Sequence, residues 1–228
     1  MSTLSSTRFK PTWTLAGNSL LILMALSVFL PFFWLSLGSF KTGAQLNNPA
    51  LLFFKPTLEN WKEVLRSGVL ESAYRSAIVG LVTVSLSVVI GSMGAYAISR
   101  YKTGGSSTRF GILAAQVLPP AVLVFPFLEV SYKFRLNDTL FAVIISHLSF
   151  VLPVITWFLI GFFDAAPKEV EEQALVDGLS RFQAFRKVVI PQVAPGIGAA
   201  AVFGFVLSWN DASSLVLARL LSGSDHHM

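Results

Sequence analysis

What most constrains this sequence is where its charges are absent. Residues 11–40, 76–99, 110–128, 139–163 and 188–210 contain no Asp, Glu, Lys or Arg, and each run is nineteen residues or longer. A helix crosses a ~30 Å hydrocarbon core with about 20 apolar residues. In that core each backbone polar group must be bonded within its own segment or within a closed barrel, and continuous apolar runs of this length belong to helices. The expected fold class is therefore an all-α polytopic membrane protein with about five spans. Composition agrees: 54% of the 228 residues are hydrophobic and 13% are charged, about half the charge fraction of a soluble protein.

The first run follows Arg8 and Lys10, but it is too long for a signal-peptide core and ends in "LPFFWLSLGSF" rather than a small-residue cleavage site, so it is read as a retained span. A polar connection follows, in which Leu58, Trp61 and Leu65 recur at helical spacing, with Thr57 as N-cap and Gly68 as stop. In the second run Gly91 and Ala95 stand four apart, a spacing that lets helices approach closely in lipid. Pro119, Pro120 and Pro126 predict a kinked third span packed inside a bundle. The fourth run holds Pro153 and His147, the latter expected to be bonded within the bundle. The fifth span is expected over about 195–217. Two regions result, an N-terminal tail with its first span and connection (1–70) and a transmembrane domain (71–228). Lys and Arg number nine on the N-terminal side of the membrane and eight on the other, a slight lean toward a cytoplasmic N-terminus. The absence of cysteine excludes disulfides and thiolate chemistry. A net charge of +5 is ordinary for basic flanks of membrane spans and does not imply nucleic acid.

One stretch breaks the apolar monotony. Between Lys168 and Lys187 stand eight of the 29 charged residues, flanked on both sides by apolar runs. Pro167 is placed for a first helical position, and Glu169, Glu171 and Glu172 sit near that helix N-terminus, where the dipole favours negative charge. Gly178 can end the helix in a left-handed conformation. Ser180 and Gln183 fit a capping box for a second short helix leading to Pro191. Leu175, Leu179 and Phe182, at i, i+4 and i+7, predict an apolar face that wants a partner.

The segment "EEQALVDGLSRFQAFRKVVIPQVAPG" resembles the cytoplasmic loop of ABC importer permeases, with its Glu-Ala-Ala, then Gly, then a hydrophobic residue and Pro. Glu172, Ala174, Gly178, Ile190 and Pro191 fall at those spacings, and Gln173 replaces the first alanine. "PKEVEEQALVDG", "SWND" and "TLENWKEVL" are similar to the shorter permease of carbohydrate importers, and the likeness runs from about residue 15 to 217. The resemblance implies the ABC type-1 transmembrane fold and identifies the loop 164–189 as the coupling helix, with Glu171, Glu172, Ala174, Asp177, Gly178 and Pro191 as the ATPase-coupling residues. It implies a homologous permease, two ABC ATPase subunits, an extracytoplasmic solute-binding protein and the lipid bilayer of the cell inner membrane as partners. No cofactor is expected on this chain: ATP and magnesium belong to the ATPase, and no G-x-x-x-x-G-K-[ST] phosphate loop occurs here. The family usually has six spans with both termini cytoplasmic, so the five runs leave its last span missing and the domain C-terminally incomplete.

Ionisable groups at membrane depth are costly and mark functional sites. Polyhydroxyl solutes are held by carboxylates, amides and aromatic rings, so Trp209, Asn210 and Asp211 are pathway candidates, with helix–helix bonding an open alternative for the last two. Glu129, at the end of the third run, is a further candidate, with an interfacial carboxylate as its plainer reading. The expected function is the translocation path for a carbohydrate or polyol. The alternatives are another solute (polyamine, amino acid or phosphate) or a membrane enzyme or assembly factor. The last is disfavoured by three histidines without cysteine or a His-Glu-x-x-His pattern; neither a catalytic nor a metal site is expected.

Overall fold

A computed structural model describes residues 11–48, 51, 53–117, 119–136 and 139–211. Its regular structure is helical throughout, in two compact units, residues 1–71 and 72–228.

In the first unit, α1 (Pro11–Ser39) is apolar on every face, and its described side chains before Leu37 are exposed. A helix that is hydrophobic all round belongs in a core or in lipid. A short α2 (Gly43–Leu46) follows, then α3 (Glu59–Arg66). The Thr57 hydroxyl accepts the Glu59 N–H at 3.2 Å, although Leu58 holds the cap position, and Gly68 leaves the helix at φ +78°. α3 is tied to the end of α1 by the Asn60 amide, which donates to the Lys41 carbonyl at 2.7 Å and the Ser39 carbonyl at 3.1 Å.

The second unit is built on three long helices. α4 (Val69–Tyr101) and α7 (Leu140–Ala165) match the second and fourth apolar runs. The third is composite: α9 (Arg181–Ala184), a π-helical turn (Phe185–Val189) and α10 (Ile190–Trp209) follow one another without interruption. The wide turn ends where the Ile190 N–H reaches the Phe185 carbonyl, just before Pro191, which has no N–H to continue an α-helical ladder. The fifth span thus begins earlier than its expected start near 195 and merges with the second island helix. The part of its expected range beyond 211 lies outside the described residues.

The expected third span is not one kinked helix but two, α5 (Gly105–Val117) and α6 (Pro120–Lys133). Pro120 pushes the residue before it out of the helical region, and Pro119 is extended at φ −61°, ψ 134°. Pro126 is accommodated inside α6. Four helices among the described residues are long and apolar enough to cross a membrane: Gly17–Ser39, Val69–Tyr101, Leu140–Ala165 and Arg181–Trp209. The chain is a multi-pass membrane protein, with the third apolar run divided between two shorter helices.

Between helices in lipid, close packing replaces the hydrophobic drive. Val151, Ile155, Leu159 and Phe163, at successive i+4 positions of α7, are fully buried. Gly204 of α10 sits so close to Ile155 that a Cβ would lie 2.7 Å from its Cδ1, and Gly196 leaves room for the Phe162 ring. On α4 a Cβ at Gly91 would lie 3.0 Å from the Thr156 hydroxyl, and Ala95 is fully buried, the close approach expected of this pair. Thr83, Ser87 and Ser92 of α4 are buried with hydroxyls that find no hydrogen-bond partner among the described residues.

Candidate functional site

The charged island lies at one end of the second unit. Its first helix, α8 (Lys168–Val176), starts after Pro167, one residue later than expected. It closes with the Leu179 N–H on the Ala174 carbonyl and the Gly178 N–H on the Leu175 carbonyl, both at 3.1 Å. That pair of bonds requires a left-handed residue, and Gly178 supplies it at φ +90°. The next helix opens with the expected capping box: the Ser180 hydroxyl accepts the Gln183 N–H at 3.3 Å, and the Ser180 N–H donates to the Gln183 side chain at 2.9 Å. The joint is therefore fixed by backbone conformation and reciprocal caps.

The back of the island is bound to α4, and through it to the end of α7. Glu171 turns inward and accepts hydrogen bonds from the Tyr96 hydroxyl and from Arg100 Nε, the latter at 2.8 Å. The other two guanidinium nitrogens of Arg100 donate at 3.1 Å to the carbonyls of Phe163 and Ala166, at the end of α7. Arg100 and Glu171 side chains are only 5% and 9% exposed, so each charge depends on the other and on these bonds. Beside them Asp164 accepts from the Ser99 hydroxyl at 2.6 Å and from both Arg109 amino groups at 2.8 and 3.1 Å. The bonded carboxylate raises the Arg109 guanidinium above its already high ordinary pKa, so that side chain stays charged at any physiological pH. Phe185 packs on Tyr96 with ring centroids 4.6 Å apart, and Ala184 is fully buried.

The front is open. Glu172, Gln173, Asp177 and Gly178 are exposed, and two large apolar side chains stand among them, Val176 at 87% and Phe182 at 64% exposure. The structure thus divides the six residues expected to couple. Glu172, Asp177 and Gly178 belong to the exposed face; Glu171 and Ala174 are buried behind it; Pro191 is exposed in the first turn of α10. The expected apolar face is also revised. Leu175 and Leu179 are half-buried, and Val176 joins Phe182 outside, because the joint at Gly178 breaks the i, i+4, i+7 spacing.

The pathway candidates lie at the other end of α10. His147 of α7 is buried, with Nδ1 2.7 Å from the Ser208 hydroxyl and Nε2 3.7 Å from the Asp211 carboxylate. His147 is bonded within the bundle as expected, and Asp211 is drawn to it. Trp209 is exposed and packs on Phe205 at 5.7 Å, and the Asn210 amide caps α10 through the Val206 carbonyl at 2.8 Å. Glu129 is exposed on α6. Sequence reasoning passed over Tyr96, Ser99, Arg100, Arg109 and Asp164. Their only signal is position: Ser99, Arg100, Arg109 and Asp164 stand at or next to the edge of a charge-free run, and Tyr96 one turn inside one.

Residues 87–218 match the family model described as binding-protein-dependent transport system inner membrane component. The trehalose transport system permease protein SugB of Mycobacterium tuberculosis (strain CDC 1551 / Oshkosh) is 33% identical over 197 residues, 86% of this chain and 71% of that protein. The sulfoquinovosyl glycerol transport system permease protein SmoH of Agrobacterium fabrum (strain C58 / ATCC 33970) is 30% identical over 206 residues, 89% of this chain and 71% of that one. In fold, the chain is similar to a solved bacterial ABC transporter involved in the import of the acidic polysaccharide alginate, with a TM-score of 0.68 at 20% identity over 99% of this chain and 85% of the other.

Proposed function

The chain belongs to the family of inner membrane components of binding-protein-dependent transport systems, and from that premise we propose that it lines the path of an ATP-driven importer for a carbohydrate or polyol. As a permease subunit it is a transporter component and not an enzyme. Its place is the cell inner membrane, beside a homologous permease, above two ABC ATPase subunits and facing an extracytoplasmic solute-binding protein. Two of its relatives are named for trehalose and for sulfoquinovosyl glycerol transport, which supports a sugar-like cargo.

One observation carries the coupling role: an island whose charges are paired behind while carboxylates and two apolar side chains stand unshielded in front. A surface built this way is suited to receive a separate subunit and pass its movement to α4 and α7. Closure of the ATPase dimer would push the island and tilt the spans.

The Gly178 joint gives the test. A Cβ at this position meets nothing within 4 Å, so the first effect of Gly178→Val is on the backbone at φ +90°. The cost of a non-glycine residue there is ~1–2 kcal/mol and falls on the angle between the two helices. In proteoliposomes containing the partner permease and the ATPase, the variant is expected to be present at the normal amount but to lose substrate-stimulated hydrolysis and uptake together. Normal values of both would return the island to an ordinary polar loop. Uptake of labelled disaccharide, against amino acid, polyamine and phosphate, checks the cargo separately.

A further inference from the structure

A groove of about 230 Å³ lies between α4 and the second island helix, lined by Met93, Tyr96, Arg181, Phe182 and Phe185. Four of its five walls are apolar or aromatic, and the fifth is a cation. The Arg181 guanidinium stacks 5.3 Å above the Tyr101 ring, level with the last residue of α4. Met93 stands eight residues earlier on α4, about 12 Å deeper at 1.5 Å per residue. The groove therefore opens beside the last turns of the charge-free run 76–99, where a span of this length reaches the edge of a ~30 Å hydrocarbon core. Met93 and Phe182 are more than half exposed along it.

Arg181 makes no ion pair among the described residues. The buried carboxylate behind Tyr96, Glu171, already accepts from Tyr96 and Arg100. Guanidinium groups bind phosphate oxygens bidentately, and basic pockets between helices at the membrane surface select anionic head groups. We propose that this groove binds one anionic phospholipid, its phosphate on Arg181 and an acyl chain along Tyr96, Phe185 and Met93. The site lies wholly within this chain and does not rest on the transport reading.

The experiment is native mass spectrometry of the assembled transporter taken from nanodiscs of equimolar phosphatidylcholine and phosphatidylglycerol. Wild type is expected to retain phosphatidylglycerol in preference to phosphatidylcholine. Arg181→Gln, which removes the charge, and Met93→Trp, which fills the groove, should each lower that retention about tenfold, the scale of a lost charge-assisted hydrogen bond. Arg186→Gln, outside the groove, should leave it unchanged. Size-exclusion profiles establish that each variant is assembled. Equal retention of the two lipids, or undiminished phosphatidylglycerol on either groove variant, overturns the proposal. So does a fall of the same size with Arg186→Gln, which would mean diffuse attraction, or loss of the partner permease with Met93→Trp, which would make the groove a protein contact.

Discussion

The two ends of the second unit handle buried polarity in opposite ways. At the island end, Arg100 spends three guanidinium nitrogens on Glu171 and two helix-end carbonyls, and Tyr96 covers the same carboxylate. At the far end, His147 Nε2 has no hydrogen-bond partner among the described residues, and Asp211 stands 3.7 Å away. Along α4 between the two ends, the hydroxyls of Thr83, Ser87 and Ser92 also find no hydrogen-bond partner among the described residues. A fully satisfied network resists deformation, since breaking a buried ion pair by removing one partner costs ~3–5 kcal/mol. Unsatisfied groups forfeit energy in the arrangement seen and regain it when partners or water arrive. The island end is thus built to move as one piece, and the far end is where rearrangement is cheap.

The largest expected effect follows from breaking the stiff end. Arg100→Ala leaves Glu171 buried without its counter-ion and frees two carbonyls, a loss on the order of 3–5 kcal/mol. The unfolding temperature of the solubilised protein should fall by several degrees, and uptake should disappear with it. Stability close to wild type would show that the network is not what holds the island. A smaller, different effect is expected at the far end. A carboxylate at membrane depth costs roughly 2.5–3.5 kcal/mol on insertion scales unless it is compensated. Asp211→Ala should therefore leave the amount of protein in the membrane unchanged while lowering uptake several-fold or shifting its substrate dependence. Unchanged uptake kinetics would remove Asp211 from the pathway and blunt the contrast between the ends. The smallest effect belongs to Arg109. Its pair with Asp164 is 38% exposed on both sides, where ion pairs contribute ~0–1 kcal/mol. Arg109→Ala should shift unfolding by no more than a degree or so; a loss matching that of Arg100→Ala would place the mechanical anchor in the wrong pair.

Much of this was legible because its causes are local. Hydrocarbon tolerates no unpaired charge, so four of the five charge-free runs mark long helices directly. The left-handed stop at Gly178 and the Ser180–Gln183 box depend on residues a few positions apart, and the structure has them as the sequence implies. What escaped depends on distant partners. Glu171 and Glu172 are neighbours of identical chemistry, and it is Tyr96 and Arg100, 75 and 71 residues before Glu171, that hold Glu171 inward. Nothing in the spacing of His147 and Ser208, 61 residues apart, announces their bond. The prolines at 119 and 120 were visible, but their effect depends on the pair: the second holds the first extended, so a kink becomes a break. The π turn before Pro191 had no signal beyond the proline itself.

The most direct test of a back that is fixed and a front that docks uses the absence of cysteine. Val176→Cys places one thiol on the most exposed part of the front face, and Ser106→Cys places a control on exposed α5. Alkylation rates of the two are compared in the permease alone and in the complex with its ATPase, with complex formation followed independently. The expected result is that the ATPase slows labelling at position 176 at least tenfold while position 106 reacts as before. Equal labelling at 176 with the ATPase demonstrably bound would contradict docking on the island.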